Sequence, residues 1–329
     1  MPAISVITPI YKAEKFIERC ARSLFEQTFE DIEYIFVNDC TPDNSMRVLN
    51  SVINEYPHRK NHVRIINHEI NTGQSGARRD GMSIAKGDYI IHCDADDWIE
   101  PNMYESMYQT AIKTQADAVV CDMIMRYHDK SVYLKYNNEY DDHQLMYDCL
   151  APISVVYCSM CNRLISRHIF LEHSIKPFEG VNMWDDVGLT TRLRYYIDRT
   201  VVINEPFYNY NIQNEASTTN RELIDRINEQ VLCTKLLEDF FISESAENKY
   251  RLFLSYMKFF SKNDLLDKDK RKSELWIKIF PEAKKDIWKL KQYSLLFKFR
   301  LFLYCYGGMY GVSLFKVLCT LKAHLWLKK

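Results

Sequence analysis

The sequence predicts an α/β protein: a mostly parallel central sheet with flanking helices, followed by a C-terminal helical region. Over the first 125 residues, short apolar runs of strand length alternate with segments of helical period. Those runs are apolar on consecutive residues, which marks strands covered on both faces. Beyond residue 222 the pattern is helical only.

The elements follow in order. Ala3–Ile7 is a buried strand. From Glu14, Phe16, Cys20 and Leu24 recur every four residues beside Ile17, Ala21 and Phe25, one apolar face of a helix. Glu33–Val37 is the next strand, Ser45–Tyr56 the next helix, and Val63–Ile66 the third strand. Ser75–Lys86 is a helix, with Gly87 where a helix end favours glycine. Asp88–Cys93 is a strand, Asn102–Gln115 a helix and Ala118–Met123 a strand. Asp129–Asp142, polar and rich in Tyr and Asn, reads as a loop. Helix and strand signals resume through Val202. Long amphipathic helices fill residues 222–262, and Asn263–Lys272 reads as a charged linker.

Composition narrows the class. The chain's 329 residues suffice for one domain of about 200 residues and an appendage. With 47% hydrophobic residues, nine Gly and nine Pro, it is globular rather than fibrous or disordered. The net charge of −1 conceals an asymmetry, because residues 284–329 carry ten Lys or Arg against Asp286 alone. A basic tail on an acidic body points to a nucleic acid or an anionic membrane surface. No nucleic-acid motif accompanies it, which argues against that partner. Several cysteines lie inside apolar runs and read as reduced, buried thiols. Cys158 and Cys161 form a lone CxxC without the further ligands a zinc site needs. No signal segment opens the chain, so the expected location is cytoplasmic.

In an open α/β sheet, ligands bind beyond the carboxyl ends of the strands. There stand Thr8-Pro9-Ile10-Tyr11, Asn38-Asp39-Cys40-Thr41, Asn71-Thr72-Gly73 leading to Ala77-Arg78-Arg79, and Asp94-Ala95-Asp96-Asp97. Three carboxylates within four residues repel one another unless a cation joins them. Hard Mg²⁺ or Mn²⁺ takes such oxygen ligands and keeps positions for substrate phosphates. A solvated acidic turn is the bland alternative, but the run Tyr89–Cys93 fixes these acids at a strand end.

Together, these segments resemble the family 2 inverting glycosyltransferases of the GT-A (Rossmann-like) fold. The family's Pro-x-Tyr-Asn segment is Pro9-Ile10-Tyr11-Lys12 here, and its Asp-Asp-Gly-Ser turn is Asn38-Asp39-Cys40-Thr41. Its Asn-x-Gly and Ala-Arg-Asn-x-Gly stretch is Asn71-Thr72-Gly73 with Ala77-Arg78-Arg79-Asp80-Gly81. Its Asp-x-Asp-Asp motif is Asp94–Asp97. The likeness is sharp over residues 1–107 and weaker to about residue 220. There, Met160–Leu164 and Tyr208-x-Tyr210 with Ser217-Thr218 resemble the family's acceptor segments, and Asn211 stands where Arg is common.

The resemblance implies that Pro9, Tyr11, Asp39, Gly73, Arg78, Asp94, Ala95 and Asp96 bind a nucleotide sugar. Tyr11 would stack on the base, and Asp39 would accept the uracil N3–H; guanine N1–H would also fit. Gly73 would let the backbone approach the ligand, and Arg78 would support the nucleotide, its alternative being a helix-surface ion pair. Asp94 would hold the ribose side, and Asp96 would ligate Mn²⁺ or Mg²⁺ with the diphosphate. Asp186, in Met183-Trp184-Asp185-Asp186-Val187, would be the catalytic base; a capping role at the helix of residues 187–197 is the alternative.

The implied organisation is a catalytic domain over residues 1–220, with a nucleotide-sugar-binding half at 1–125 and an acceptor half at 126–220. A helical region at 221–329 follows. The uncharged stretch Leu301–Phe315 is shorter than the roughly 20 residues of a membrane span. The tail 284–329 therefore suits the inner surface of an anionic membrane; packing on the catalytic domain or on a second copy in a homo-oligomer is the alternative. The expected acceptor is a glycan or polyprenyl-linked oligosaccharide. Two other readings are weaker. A phosphohydrolase with an aspartyl nucleophile would carry Asp-x-Asp after the first strand, and a non-catalytic nucleotide- or glycan-binding protein would share the fold.

Overall fold

The computed structural model describes residues 1–136, 155–214, 221–266 and 270–326. The chain divides into two compact units, the first ending at Arg221 and the second continuing from Glu222.

The described strands of the first unit form one sheet. They are β1 (Ile4–Ile10), β2 (Ile32–Asn38), β3 (Val63–Asn67), β4 (Tyr89–His92), β5 (Trp98–Ile99), β6 (Ala118–Arg126), β7 (Ser131–Leu134), β8 (Arg163–Ser166) and β9 (Thr200–Asn211). Their order is β3-β2-β1-β4-β8-β6-β9-β5, with β7 paired to β6. The first four are parallel, as the alternation predicts; Ile4 of β1 pairs with Ile32 on one side and Tyr89 on the other. Beyond β4 the sheet is mixed. β8 inserts between β4 and β6 and runs antiparallel to both, while β6 and β9 are parallel. Short strands that find partners far along the chain leave no local trace in the alternation.

The helices are α1 (Ile17–Phe25), α2 (Ser45–Glu55), α3 (Pro57–Lys60), α4 (Gly73–Ile84), α5 (Met103–Thr114), α6 (Val155–Cys158), α7 (Arg167–Glu172) and α8 (Asp185–Tyr196). α1 buries Ile17, Cys20, Ala21, Leu24 and Phe25, the face its period marks. One core cluster joins Ile7 and Ile35 of the sheet, Ala77 of α4, and Leu189 and Leu193 of α8.

Two local expectations are corrected. α4 stops at Ile84, and Ala85 is already extended, so Gly87 does not end the helix. A Cβ on Gly87 would stand 2.5 Å from the Ser5 backbone nitrogen, so the glycine makes room for β1. Ser131–Leu134, expected in a loop, pairs antiparallel with β6; residues 137–142 lie outside the described residues.

The second unit is helical: α9 (Leu223–Ser243), α10 (Arg251–Phe260), α11 (Lys270–Lys278) and α12 (Leu295–Trp326), with short 3₁₀ segments at Asn263–Leu265 and Pro281–Lys289. α11 begins inside the expected linker. Leu237, Phe241, Met257, Trp276 and Ile287 form its interior. Lys262 lies 4.0 Å from the Trp276 ring centre and donates to the Trp276 carbonyl oxygen at 3.1 Å. α12 kinks at Gly308, where φ is 53°. No described helix is long and apolar enough to cross a membrane. Cys20, Cys93, Cys121 and Cys161 are buried free thiols.

Candidate active site

A cavity of about 730 Å³ opens at the carboxyl ends of β1, β2 and β4. Pro9 and Tyr11 reach it from the end of β1, and Asp39 from the end of β2. Gly73 and Arg78 come from α4, Asp94, Ala95 and Asp96 from the turn after β4, and Asp186 from α8. Every site residue marked in the sequence lines this one cavity. Tyr11 is 43% exposed, with the Lys12 ammonium 5.2 Å from its ring centre.

Asp39 is held tightly. Its Oδ1 accepts from the Thr72 backbone N–H at 2.7 Å and the Thr72 hydroxyl at 2.9 Å, and His68 Nδ1 stands 2.9 Å away. Its Oδ2 accepts the Gly73 N–H at 2.8 Å. The carboxylate thus caps α4 from a neighbouring strand, where backbone donors and the helix dipole favour negative charge. Gly73 has φ +78°, and a Cβ there would meet the Asn182 side chain. The group that approaches this glycine is Asn182, whose Oδ1 also accepts from the Ser75 backbone at 3.2 Å.

The three carboxylates after β4 have different surroundings. Asp97 is buried, its Oδ2 accepting the Tyr208 hydroxyl at 2.5 Å and its Oδ1 the Asn211 N–H at 2.7 Å. It anchors the turn to β9. The Tyr208 oxygen in turn accepts the Asp94 N–H at 3.2 Å. Asp94 and Asp96 remain at the cavity. Burial, and next the charge of Asp94, push the Asp96 carboxyl up to about 6. Asn214 donates to Asp96 Oδ2 at 2.8 Å, and the Asn211 side chain is held by the Asp96 carbonyl at 3.1 Å. Ser217 and Thr218 lie outside the described residues.

Arg78 is not on a helix surface. It is 2% exposed and spans two carboxylates, Asp94 Oδ1 at 2.8 Å and Asp185 Oδ2 at 2.5 Å. One guanidinium therefore ties the turn after β4 to the first residue of α8. The residue before α8 is Trp184, at φ 74° and without a side-chain cap. Asp185 and Asp186 both belong to the helix's first turn rather than preceding it. Asp185 faces Arg78, while Asp186 faces the cavity and accepts its neighbour Val187 N–H at 2.8 Å. Burial first, then the charge of Asp185, raise the Asp186 carboxyl to about 7. Asn162 and Arg163 of the acceptor-type segment are buried and bind backbone carbonyls at 2.8–3.0 Å, a structural task.

Sequence reasoning missed several residues that line the cavity: Gln74, Asn182, Trp184 and Asn214. Gln74 donates to Asp94 at 3.3 Å. Spacing gives no signal for Asn182 or Asn214, which reach the motif residues only through tertiary contact.

The donor set at Asp94 and Asp96 fits a hard divalent ion. It offers two carboxylates, and among the described residues no third Asp, Glu, His or Cys joins them in a cluster. An ion held there by one or two carboxylates would have to be completed by phosphate oxygens and water. Burial first, and then the charge of Asp94, raise the Asp96 carboxyl, and a cation beside it would offset both.

Fold and cavity together define an α/β protein with a cavity at the carboxyl ends of its parallel strands, the place where open α/β sheets bind ligands. Residues 5–173, about half of the chain, match the family described as Glycosyl transferase family 2, and the chain belongs to that family. It is 38% identical over 134 residues to the uncharacterised glycosyltransferase EpsJ of Bacillus subtilis, a stretch covering 41% of this chain and 38% of EpsJ. The match thus spans well under two thirds of that relative. The crystal structure of S. aureus TarS 1-349 in complex with UDP-GlcNAc is similar in fold. Its TM-score is 0.73 at 16% identity, over 95% of this chain and 89% of that one. The mannosyltransferase PcManGT of Pyrobaculum calidifontis, in complex with GDP-Man and Mn²⁺, has a TM-score of 0.54 at 14% identity, covering 100% of this chain and 88% of that one.

Proposed function

We infer that the chain is an inverting, metal-dependent glycosyltransferase. It moves a hexose or N-acetylhexosamine from a UDP-sugar to a glycan or lipid-linked oligosaccharide in cell-surface polysaccharide synthesis. The observation that carries this reading is the convergence of Asp39, the Asp94 and Asp96 pair, and Asp186 on one cavity.

Tyr11 stacks on the base, with Pro9 and Gly73 lining the same cavity, and Asp39 accepts the base N–H. The similar folds holding UDP-GlcNAc and GDP-Man suit this arrangement, since uracil and guanine both present an N–H. Arg78 supports the nucleotide side by fixing Asp94, which holds the ribose side against Ala95. Asp96 would hold Mn²⁺ or Mg²⁺, and the ion would supply Lewis-acid charge to the leaving diphosphate. Asp186 takes the acceptor hydroxyl proton as that oxygen attacks the anomeric carbon. The bond from that carbon to the diphosphate oxygen breaks on the opposite face, giving an inverted glycoside and UDP.

On this reading residues 1–220 are the catalytic domain, with 1–125 binding the donor and 126–220 the acceptor. The region 221–329 brings its basic tail to the inner face of the cell membrane, where a polyprenyl-linked acceptor would lie.

The test is release of UDP or GDP from a panel of nucleotide sugars with Mn²⁺ or Mg²⁺, by wild type and Asp96→Ala, with donor binding followed by thermal shift. Metal-dependent release of one nucleotide, lost in the variant, supports the assignment. A protein that neither turns over nor is stabilised by any nucleotide sugar with metal is not a transferase of this kind.

A further inference from the structure

His68 lies just past the end of β3, its backbone N–H bound to the Asn38 carbonyl at 2.9 Å. Its imidazole stands between two carboxylates, Nδ1 at 2.9 Å from Asp39 Oδ1 and Nε2 at 3.1 Å from Asp80 Oδ2. The ring is 10% exposed and does not line the cavity. Asp80, on the outer side of α4, is also held by Arg79 at 3.0 Å. The Thr72 hydroxyl lies 3.1 Å from Nδ1.

These contacts divide the two oxygens of Asp39. Oδ1 meets three donors: the Thr72 N–H, the Thr72 hydroxyl and His68 Nδ1. That fills its lone pairs. Oδ2 meets the Gly73 N–H alone and keeps one acceptor site. A carboxylate is free to rotate about its last bond, so a donor locked on one oxygen decides which way the other faces.

We propose that His68 is a positioning residue for nucleobase readout: it locks Asp39 Oδ1 from outside the cavity and leaves Oδ2 as the single acceptor offered to the base. The proposal rests on the reading of Asp39 as the base-binding carboxylate. Asp80 Oδ2 lies 3.1 Å from the other ring nitrogen, within ion-pair reach but without a hydrogen bond, so the one hydrogen bond from the ring to a carboxylate is that to Asp39. A charge-assisted bond at such a site is worth about tenfold in affinity.

Uracil and cytosine separate this role from general packing. Uracil offers an N–H at its third ring position, and cytosine offers a lone pair there. Affinities of UDP and CDP are measured by calorimetry on the full chain for wild type, Asp39→Asn, His68→Asn and His68→Gln, with melting temperatures recorded for each. The Asn amide nitrogen falls near the Nδ1 position and keeps the bond to Asp39. The Gln amide falls near Nε2, on the Asp80 side, and gives up the bond to Asp39. We expect His68→Gln to lower the UDP-to-CDP preference about tenfold, chiefly by weakening UDP, and His68→Asn to retain it within about twofold. Equal loss of both nucleotides in both variants, tracking the melting temperature, overturns the positioning role. A wild type without preference for UDP, or Asp39→Asn with the preference intact, removes the base-binding reading of Asp39 and the proposal with it. Intact preference in His68→Gln, where Asp39→Asn loses it, overturns the His68 proposal alone.

Discussion

At the scale of single residues, Asp186 carries the sharpest expectations. It sits in the first turn of α8 beside Asp185, and its neighbour's carboxylate is already engaged by Arg78. Asp186→Asn keeps the volume and removes the proton acceptor. Turnover should fall by about 10²–10⁴, with nucleotide affinity unchanged, in steady-state and binding measurements on one preparation. A loss below tenfold would exclude a base role. The pH dependence has a definite sign. Burial and Asp185 raise this carboxyl to about 7, and only the ionised form accepts a proton. Turnover should therefore rise with pH, reach half its maximum near 7 and level off above that. Stability runs the other way. The folded state holds this proton up to a higher pH than the unfolded chain does, so ionising the group costs folding free energy as pH rises from the ordinary aspartate range toward 7. The melting temperature of Asp186→Asn relative to wild type should accordingly climb over that window. A flat difference would show that the carboxyl is not perturbed.

At the scale of elements, two close contacts align the site, and each can be broken. Gly87 precedes β4, and an added Cβ would lie 2.5 Å from Ser5 N and 2.7 Å from Ile4 C. Both are backbone atoms of or beside β1, the strand that ends in Pro9, so nothing nearby can turn aside. Gly87→Ala should cost about 1–3 kcal/mol in urea unfolding; a neutral variant would mean that β1 shifts freely. Arg78 joins α4 to the turn after β4 and to α8. Arg78→Met leaves Asp94 and the buried Asp185 without their cation and should cost about 3–5 kcal/mol. These elements also show what the sequence could reveal. The parallel strands announced themselves as short runs rich in apolar residues, although Glu33 interrupts β2 and Arg64 interrupts β3, and α1 because its buried face repeats every four residues. The insertion of β8 and the two-residue β5 are products of distant pairing. The spacing of Asp94, Asp96 and Asp97 marked a carboxylate cluster at a strand end. Which acid turns inward was hidden, because Tyr208 and Asn211, which claim Asp97, come more than a hundred residues later. Arg78 was legible as a site residue, but its burial between two carboxylates was not, since Asp185 is equally distant in sequence.

At the scale of the whole molecule, the uneven charge is the feature with the widest consequence. The second unit carries most of the excess cations in residues 284–329, and it also exposes large apolar side chains. Leu295 is 77% exposed and Tyr310 91%, with Trp288, Leu296 and Tyr306 each above half. Cations interleaved with exposed apolar groups, on a helix too short in its apolar stretch to cross a bilayer, suit adsorption to an anionic leaflet. Each lysine near such a surface contributes about 1 kcal/mol, and the contribution fades with salt. The full chain should sediment with vesicles of phosphatidylglycerol at low ionic strength, and neither with phosphatidylcholine vesicles nor with either lipid in 1 M salt, where the screening length falls to about 3 Å. Reversing Lys284, Lys285, Lys289 and Lys291 to Glu should abolish sedimentation while leaving UDP affinity unchanged, since the cavity lies entirely in the first unit. Salt-independent vesicle binding would assign the interaction to apolar contact alone. If the chain instead failed to bind anionic vesicles and formed a salt-stable dimer that the apolar substitutions Leu295→Ser and Leu296→Ser dissolve, the exposed groups would belong to an interface between copies, and the acceptor would have to reach the cavity from solution.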